Sequence, residues 1–280
     1  LHGRKENNIP ALLLSSRKTF AFTDKSSSPD VIARSLLDYL DVVDDKKMSK
    51  EIVIHVAENL GTKDEKITQG SLQEMAAMNF GNLNVICIVV PNLPQRPTFG
   101  LHEDEISHSR GLITKDEVRA ATLHRLQLPR KGVFWDIGGG SGSISIEAAA
   151  MYPSLSVHTV ERKKEEIENI KKNICRFALF NITPIFGKAV DCLDMLPSPN
   201  CVFIGGSGGE LEQIIAAAAK RLTNGGRLVV NGVIENTISK APLLMQQHGM
   251  TVETTKIEVS RTGPDGSTRF NPITIMVGRK

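Results

Sequence analysis

The chain has 280 residues, 40% of them apolar and 23% charged, with a net charge of +3 at pH 7. That length suits two ordinary domains at ~100–200 residues each, and so small a positive surplus argues against nucleic acid as a partner. No apolar run reaches the ~20 residues of a membrane-crossing helix, no secretory h-region is seen at the start, and the four cysteines lack metal-ligand or disulfide spacing, so a cytoplasmic chain with buried thiols is expected.

The first residue is Leu1 rather than Met, and the expectation is a piece of a longer polypeptide. Pro29 to Leu40 has helical spacing after a candidate N-cap, Ser28. EIVIHVA (51–57) is a β-branched strand, 71–78 a short helix and LNVICIVV (83–90) another strand. PNLPQRPTFG (91–100) has three prolines and no apolar period, which marks a boundary. The expected division is a domain over 1–90, a linker over 91–110 and a second domain over 111–280.

In the second domain a helix over 115–126 precedes regular strand–helix alternation. Strands are expected at 133–137, 155–160, 183–186, 201–204 and 226–231, with helices at 143–150, 163–179, 189–195, 209–221 and 236–248. Two last strands, 250–260 and 271–278, are joined by a turn around residues 263–266 and must therefore be antiparallel. The lysines and glutamates of KKEEIENIKK alternate and read as a solvated helix face. The sum is an α/β domain whose mostly parallel seven-stranded sheet is of the Rossmann-like class I S-adenosylmethionine-dependent methyltransferase kind, preceded by a smaller α/β domain.

Residues 133–142 read VFWDIGGGSG, and Glu161 closes the next apolar run. This is a strand, a glycine turn that lets a ligand approach the backbone, a helix, and a second strand ending in a carboxylate able to take both ribose hydroxyls. A dinucleotide fingerprint, G-x-G-x-x-G, fails at Ser143 when started from Gly138 and at Ser145 when started from Gly140. The form present is G-x-G-x-G at Gly138, Gly140 and Gly142, with Asp136 two residues before it. It suits a cofactor without a pyrophosphate, such as S-adenosylmethionine; a nicotinamide-dependent oxidoreductase is the reading it disfavours. The fourth strand ends in Gly205, Gly206, Ser207, Gly208 and Gly209 before Glu210, where many amino-group methyltransferases place Asn/Asp-Pro-Pro-Tyr. A glycine-rich loop opening a helix offers free N–H groups to carboxylates, though a plain turn uses the same glycines. An RNA or protein methyltransferase stays open as the alternative. The seven histidines are scattered, and no metal site is expected.

GLITKDEVRA, WDIGGGSGSISIEAA, VFIGGSGGELEQII, GGRLVVNGVIENT and the closing EVSR…NPITIM resemble the precorrin-6Y C5,15-methyltransferases (decarboxylating) of cobalamin biosynthesis and their cobalt-precorrin counterparts. LHGR and HVAENLG…DEKITQGSLQEMA resemble the C-terminal half of that family's tetrapyrrole methylase module. The resemblance implies a second domain that methylates C15 of a precorrin or cobalt-precorrin and decarboxylates its C12 acetate. It also implies a partial C5-methylating module, S-adenosylmethionine as cofactor, and a homo-oligomer, a tetramer. It places Gly138, Gly139, Gly140, Ser141 and Gly142 around the methionine part, Glu161 on the ribose, and Gly187, Lys188 and Ala189 at the adenine edge. Lys188 stands where the family often has an acidic residue. Thr114 is implied as a cofactor contact, with N-cap of helix 115–126 as its other role. Gly205–Gly209, Asn231 and Arg261 are candidate substrate contacts; for Arg261 the other reading is a surface charge at a hairpin. No acid–base residue is assigned.

Overall fold

The computed structural model describes residues 8–111, 113–264 and 266–280. The opening LHGR, Leu112 and Asp265 lie outside them. The chain divides into two compact units. One runs to Arg96 and includes Ile174–Asn181; the other comprises Pro97–Asn173 and Ile182–Lys280. The division after Arg96 falls inside the stretch expected as linker.

The first unit has helices α1 (Ile9–Leu13), α2 (Pro29–Val42), α3 (Lys46–Glu51) and α4 (Leu72–Ala76), and strands β1 (Lys18–Phe22), β2 (Val53–Glu58), β3 (Lys66–Ser71) and β4 (Asn84–Val89). Its sheet is antiparallel throughout, in the order β1-β4-β2-β3. Alternation places Ile54, Val56, Ile86 and Ile88 on the buried face, while Phe20 and Phe22 of β1 stay exposed. Ser28 occupies the N-cap position of α2, but its hydroxyl bonds Asp30 and not a backbone N–H. The sequence reading missed β1 and β3. Neither has the period-2 apolar alternation of a half-buried strand: β3 is a mostly polar edge, and the phenylalanines of β1 face outward.

After Arg96 the chain runs α5 (Asp116–Leu126), β5 (Lys131–Ile137), α6 (Ser143–Met151), β6 (Ser154–Glu161), α7 (Lys164–Phe177, of which the residues from Ile174 belong to the first unit), β7 (Ile182–Phe186), α8 (Ala189–Cys192), β8 (Cys201–Ile204), α9 (Leu211–Arg221), β9 (Arg227–Gly232), α10 (Glu235–Gln247), β10 (Thr251–Ile257), β11 (Ser260–Gly263), β12 (Gly266–Arg269) and β13 (Ile273–Arg279). Seven strands form one sheet in the order β10-β13-β9-β8-β5-β6-β7. β9, β8, β5, β6 and β7 are parallel, and β13 and β10 complete one edge antiparallel. The central strands read as continuous apolar runs because helices cover both their faces; all four residues of β8 are buried. The strand order reverses between β5 and β8, and in open parallel sheets the ligand crevice lies beyond the strand ends at such a point.

Three local expectations need correction. The N-cap of α5 is Lys115, so Thr114 does not cap that helix; its carbonyl instead accepts from Arg119 Nη1 at 3.0 Å. The KKEEIENIKK segment is not solvated throughout, because Glu166 is buried and bonds Asn169. β10 and β13 are not joined by a simple turn: between them β11 and β12 form a hairpin of their own, closed at its base by Phe270 N–H donating to the Val259 carbonyl at 3.0 Å.

Candidate functional site

The loop after β5 sits against the loop after β8. Gly138 and Gly139 both donate to the Val160 carbonyl, and Gly205 donates to the Ile137 carbonyl at 2.9 Å. Gly138 has φ +67°, and a Cβ there would collide with the Gly206 carbonyl oxygen. Only glycine satisfies both the left-handed backbone and that approach. Gly142 has φ +79°, and a Cβ on it would stand 2.9 Å from Ile170 Cγ1 of α7.

Two cavities lie on either side of this loop and share Gly138 and Gly140. The smaller, about 250 Å³, is lined by Glu161 to Lys163, Glu166, Gly187, Lys188, Ala189, Gly206 to Gly208 and Glu210. The larger, about 540 Å³, is lined on one side by Ile113, Thr114, Lys115 and Val118. Its floor is Gly139, Ser141, Ser143 and Ile144, and its far wall is Phe203, Gly205, Asn231, Val233, Val259, Phe270 and Asn271. The smaller cavity is charged at its rim, and the larger is mostly apolar.

Glu161 ends β6 and is 7% exposed. One oxygen accepts from Gly140 N–H at 3.0 Å and the other from Lys163 N–H at 2.9 Å. These bonds aim the carboxylate across the turn and tie it to the loop that separates the cavities. Asp136 lies beneath the loop, fully buried. Its Oδ2 accepts from the Ser145 hydroxyl at 2.6 Å, and its Oδ1 has no partner among the described residues. Burial pushes its carboxyl up to about 7; bonds from Ser145 oppose the rise and the nearby Glu161 charge adds to it. Asp136 therefore ties the end of β5 to the first turn of α6 through the Ser145 side chain, and accepts no backbone N–H bond from the glycine loop among the described residues.

The wall of the larger cavity at residues 113–118 is set by a buried charge cluster. Arg119, 1% exposed, donates to Glu147 of α6 at 2.9 Å, to Asp116 at 2.9 Å and to the Thr114 and Leu101 carbonyls. Asn231, at the end of β9, donates to Thr122 of α5 at 2.9 Å. Thr122 in turn donates to the Val118 carbonyl at 2.7 Å.

The fold thus assembles most of the residues singled out in the sequence. Gly138, Gly140, Glu161, Gly187, Lys188, Ala189, Gly206, Ser207 and Gly208 line the smaller cavity. Thr114, Gly139, Ser141, Gly205 and Asn231 line the larger. Three residues line neither. Gly142 donates its N–H to the Gly139 carbonyl and makes room for Ile170. Gly209 lies between two residues that line the smaller cavity, Gly208 and Glu210, and Arg261 is paired with Glu103 and Glu117. Sequence reasoning missed Arg162, Lys163, Glu166 and Glu210 on one side, and Lys115, Val118, Phe203, Val259, Phe270 and Asn271 on the other. Lys115 and Val118 lie in GLITKDEVRA, Phe203 and Glu210 in VFIGGSGGELEQII, Val259 in EVSR and Asn271 in NPITIM, all motifs named above, whereas Arg162, Lys163, Glu166 and Phe270 lie outside those motifs. Among the described residues, no group of three or more His, Cys, Asp or Glu could hold a metal ion, and no helix is long and apolar enough to cross a membrane.

Residues 105–277 match the family model of the precorrin methyltransferase domain. A precorrin-6Y C(5,15)-methyltransferase (decarboxylating) of a Sinorhizobium species is 37% identical over 215 residues, 75% of this chain and 51% of that protein. The chain thus spans about half the length of that relative. The cobalt-precorrin-6B C(15)-methyltransferase (decarboxylating) of Salmonella typhi is 34% identical over 60% of this chain and 89% of its own length. The crystal structure of a precorrin-6y C5,15-methyltransferase from Geobacter metallireducens superposes with a TM-score of 0.64 and 40% identity, covering 66% of this chain and all of that one. With the strand order above, these likenesses make the second unit a class I S-adenosylmethionine-dependent methyltransferase fold, as the sequence led one to expect.

Proposed function

We propose a function from the premise that the chain belongs to the precorrin methyltransferase domain family. The second unit binds S-adenosylmethionine and methylates C15 of a precorrin or cobalt-precorrin, with loss of the C12 acetate carboxyl as CO2. The observation that carries this reading is the pair of cavities that share Gly138 and Gly140 in their linings, one lined by Glu161 and the other larger and mostly apolar.

The residues fit such a cofactor. Glu161 offers two aligned acceptor oxygens for a ribose diol, Gly187, Lys188 and Ala189 bound the adenine end, and Gly138 to Ser141 leave room for the amino-acid end. When bound, the cofactor supplies a methyl group activated by a sulfonium. The chain's own work is then positional. Glu161 and the glycine loop hold one reactant, and the larger cavity orients the other and excludes water, in keeping with the value of near-attack alignment at ~3–3.5 Å. Of the Gly205–Gly209 loop only Gly205 lines the larger cavity, and its N–H is taken by the Ile137 carbonyl, so the loop is not assigned to substrate carboxylates. A conjugated macrocycle takes up the electrons released by decarboxylation, so no acid–base residue is assigned.

Mass spectrometry of a precorrin incubation tests the proposal: the product should gain one methyl and lose one CO2. A product with the methyl alone sinks the decarboxylase part, and an unchanged corrinoid sinks the whole. For the first unit we propose part of the C5-methylating module, supported by HVAENLG…DEKITQGSLQEMA. We further propose a cytoplasmic homo-oligomer, a tetramer, on family resemblance.

A further inference from the structure

The β11–β12 hairpin is an exposed ribbon with no core of its own. Of the eight residues in its two strands, only Arg261 is even half-buried. Such a ribbon is marginal in water, yet the two residues at its base, Val259 and Phe270, form part of the wall of the larger cavity. Something other than apolar burial must fix it, and Arg261 has the geometry for that. Its Nε and Nη2 donate to the two oxygens of Glu117 at 2.8 and 2.7 Å, a bidentate pair with the first turn of α5. Nη2 also reaches Glu103 at 2.7 Å. The same guanidinium lies 5.2 Å from the centre of the Phe270 ring, and Lys115, bonded to Glu103 at 2.5 Å, lies 5.4 Å from that ring.

A lone exposed ion pair is worth little. A bidentate guanidinium–carboxylate pair inside a network of four charged groups, stacked on an aromatic ring, is a stronger and more directional fastening. Hydrogen bonds from Arg261 hold the Glu117 carboxyl down to about 2, so the latch stays charged across the working pH range.

We infer that Arg261 is a positioning residue, which latches the β11–β12 hairpin to the N-terminus of α5 and so holds Phe270 in the wall of the acceptor cavity. It sets how well the cavity captures a large acceptor, and leaves the Glu161 side alone. The inference rests on the larger cavity being the acceptor side.

Two variants and two readouts test it. Arg261→Ala should raise KM for the corrinoid about tenfold with a smaller change in kcat. The affinity for S-adenosylhomocysteine should be unchanged. Glu117→Gln, which weakens the pair from its other end, should move KM the same way. If Arg261 instead held a substrate carboxylate directly, Glu117→Gln would free it, and KM would stay or fall; that result overturns the inference. Hydrogen–deuterium exchange needs no substrate: in both variants the Phe270 amide, donated to Val259, should lose protection. Unaltered exchange in both also overturns it. A wild-type protein inactive on corrinoids would refute the proposed function while the exchange result still decided the latch.

Discussion

The two cavities flanking the glycine loop share a wall but are built in different ways. The smaller is made from strand ends and the turns directly after them: Glu161 ends β6, Gly187 follows β7, and Gly206 follows β8. Its key carboxylate is held by backbone N–H groups two residues downstream and across one turn. The larger draws on Gly111, Ile113, Thr114, Lys115 and Val118, the start of α6, the end of β9 and the base of a hairpin whose Arg261 is 144 positions from Glu117 of α5. Its walls are held by side chains, Arg119 to Glu147 and Arg261 to Glu117. A site fixed by backbone geometry at a sheet's edge is robust to side-chain change. A site fixed by long-range ion pairs can be reshaped by one substitution, as an acceptor pocket would need when substrates differ.

The sharpest break of this comparison is at Arg119. Arg119→Ala leaves Glu147 buried and unpaired, which should cost ~3–5 kcal/mol of stability. Residual folded protein should keep S-adenosylhomocysteine binding and lose corrinoid capture; equal loss of both in calorimetry would show that the cavities are not separately built. Next is the shared wall. Gly138→Ala should destabilise by ~2–4 kcal/mol through its positive φ and the clash with Gly206, and unlike Arg119→Ala it should damage both binding events. Denaturant melts of the two variants give the order.

Glu161→Ala should weaken S-adenosylhomocysteine binding by ~1.5–3 kcal/mol, the range for hydrogen bonds to a charged group, and should also cost some stability because the Gly140 and Lys163 N–H groups lose their acceptor. Unchanged affinity would remove Glu161 from the cofactor site. Titration of the intact chain should also give one cofactor per chain; two would place a second site in the first unit.

The smallest effect concerns Asp136. Its carboxyl is at 3.8 when unperturbed and is raised to about 7 by burial. Between those values the folded state holds a proton that the unfolded state has lost. The stability it contributes is therefore present at low pH and is lost as pH rises towards and through about 7. From roughly pH 6 to pH 8 the loss should be about 1 kcal/mol. Asp136→Asn should flatten that dependence in thermal melts; a parallel curve in the variant would show that Asp136 does not carry it.

Much of the second unit was legible in its sequence because a parallel sheet imposes strong patterns. Buried strands read as apolar runs, and turns that must approach a ligand or a neighbouring loop read as glycine. Gly138 and Glu161 were found for this reason, and Gly187 through the family resemblance. The first unit was less legible: β1 and β3 are short edge strands, and their pattern is too polar or too exposed to stand out. The β11–β12 hairpin, SRTG and GSTR, contains no large apolar residue at all.

By itself, the sequence determined the βα alternation, the glycine turn after β5 and the carboxylate that closes β6, because each depends on neighbours within a few positions. Only the tertiary structure decided what Arg119, Arg261 and Phe270 do. The partners of the two arginines include Glu147 and Glu117, 28 and 144 positions away, and a charge in sequence looks the same whether it meets solvent, substrate or a distant carboxylate. Arg261 is the plain case: its hairpin position suggested a surface charge or a substrate contact, and folding gave it Glu103 and Glu117 instead. The hydrophobic period that reveals a strand carries no information about which ion pairs form when the strands are stacked, because those pairs are set by three-dimensional proximity alone.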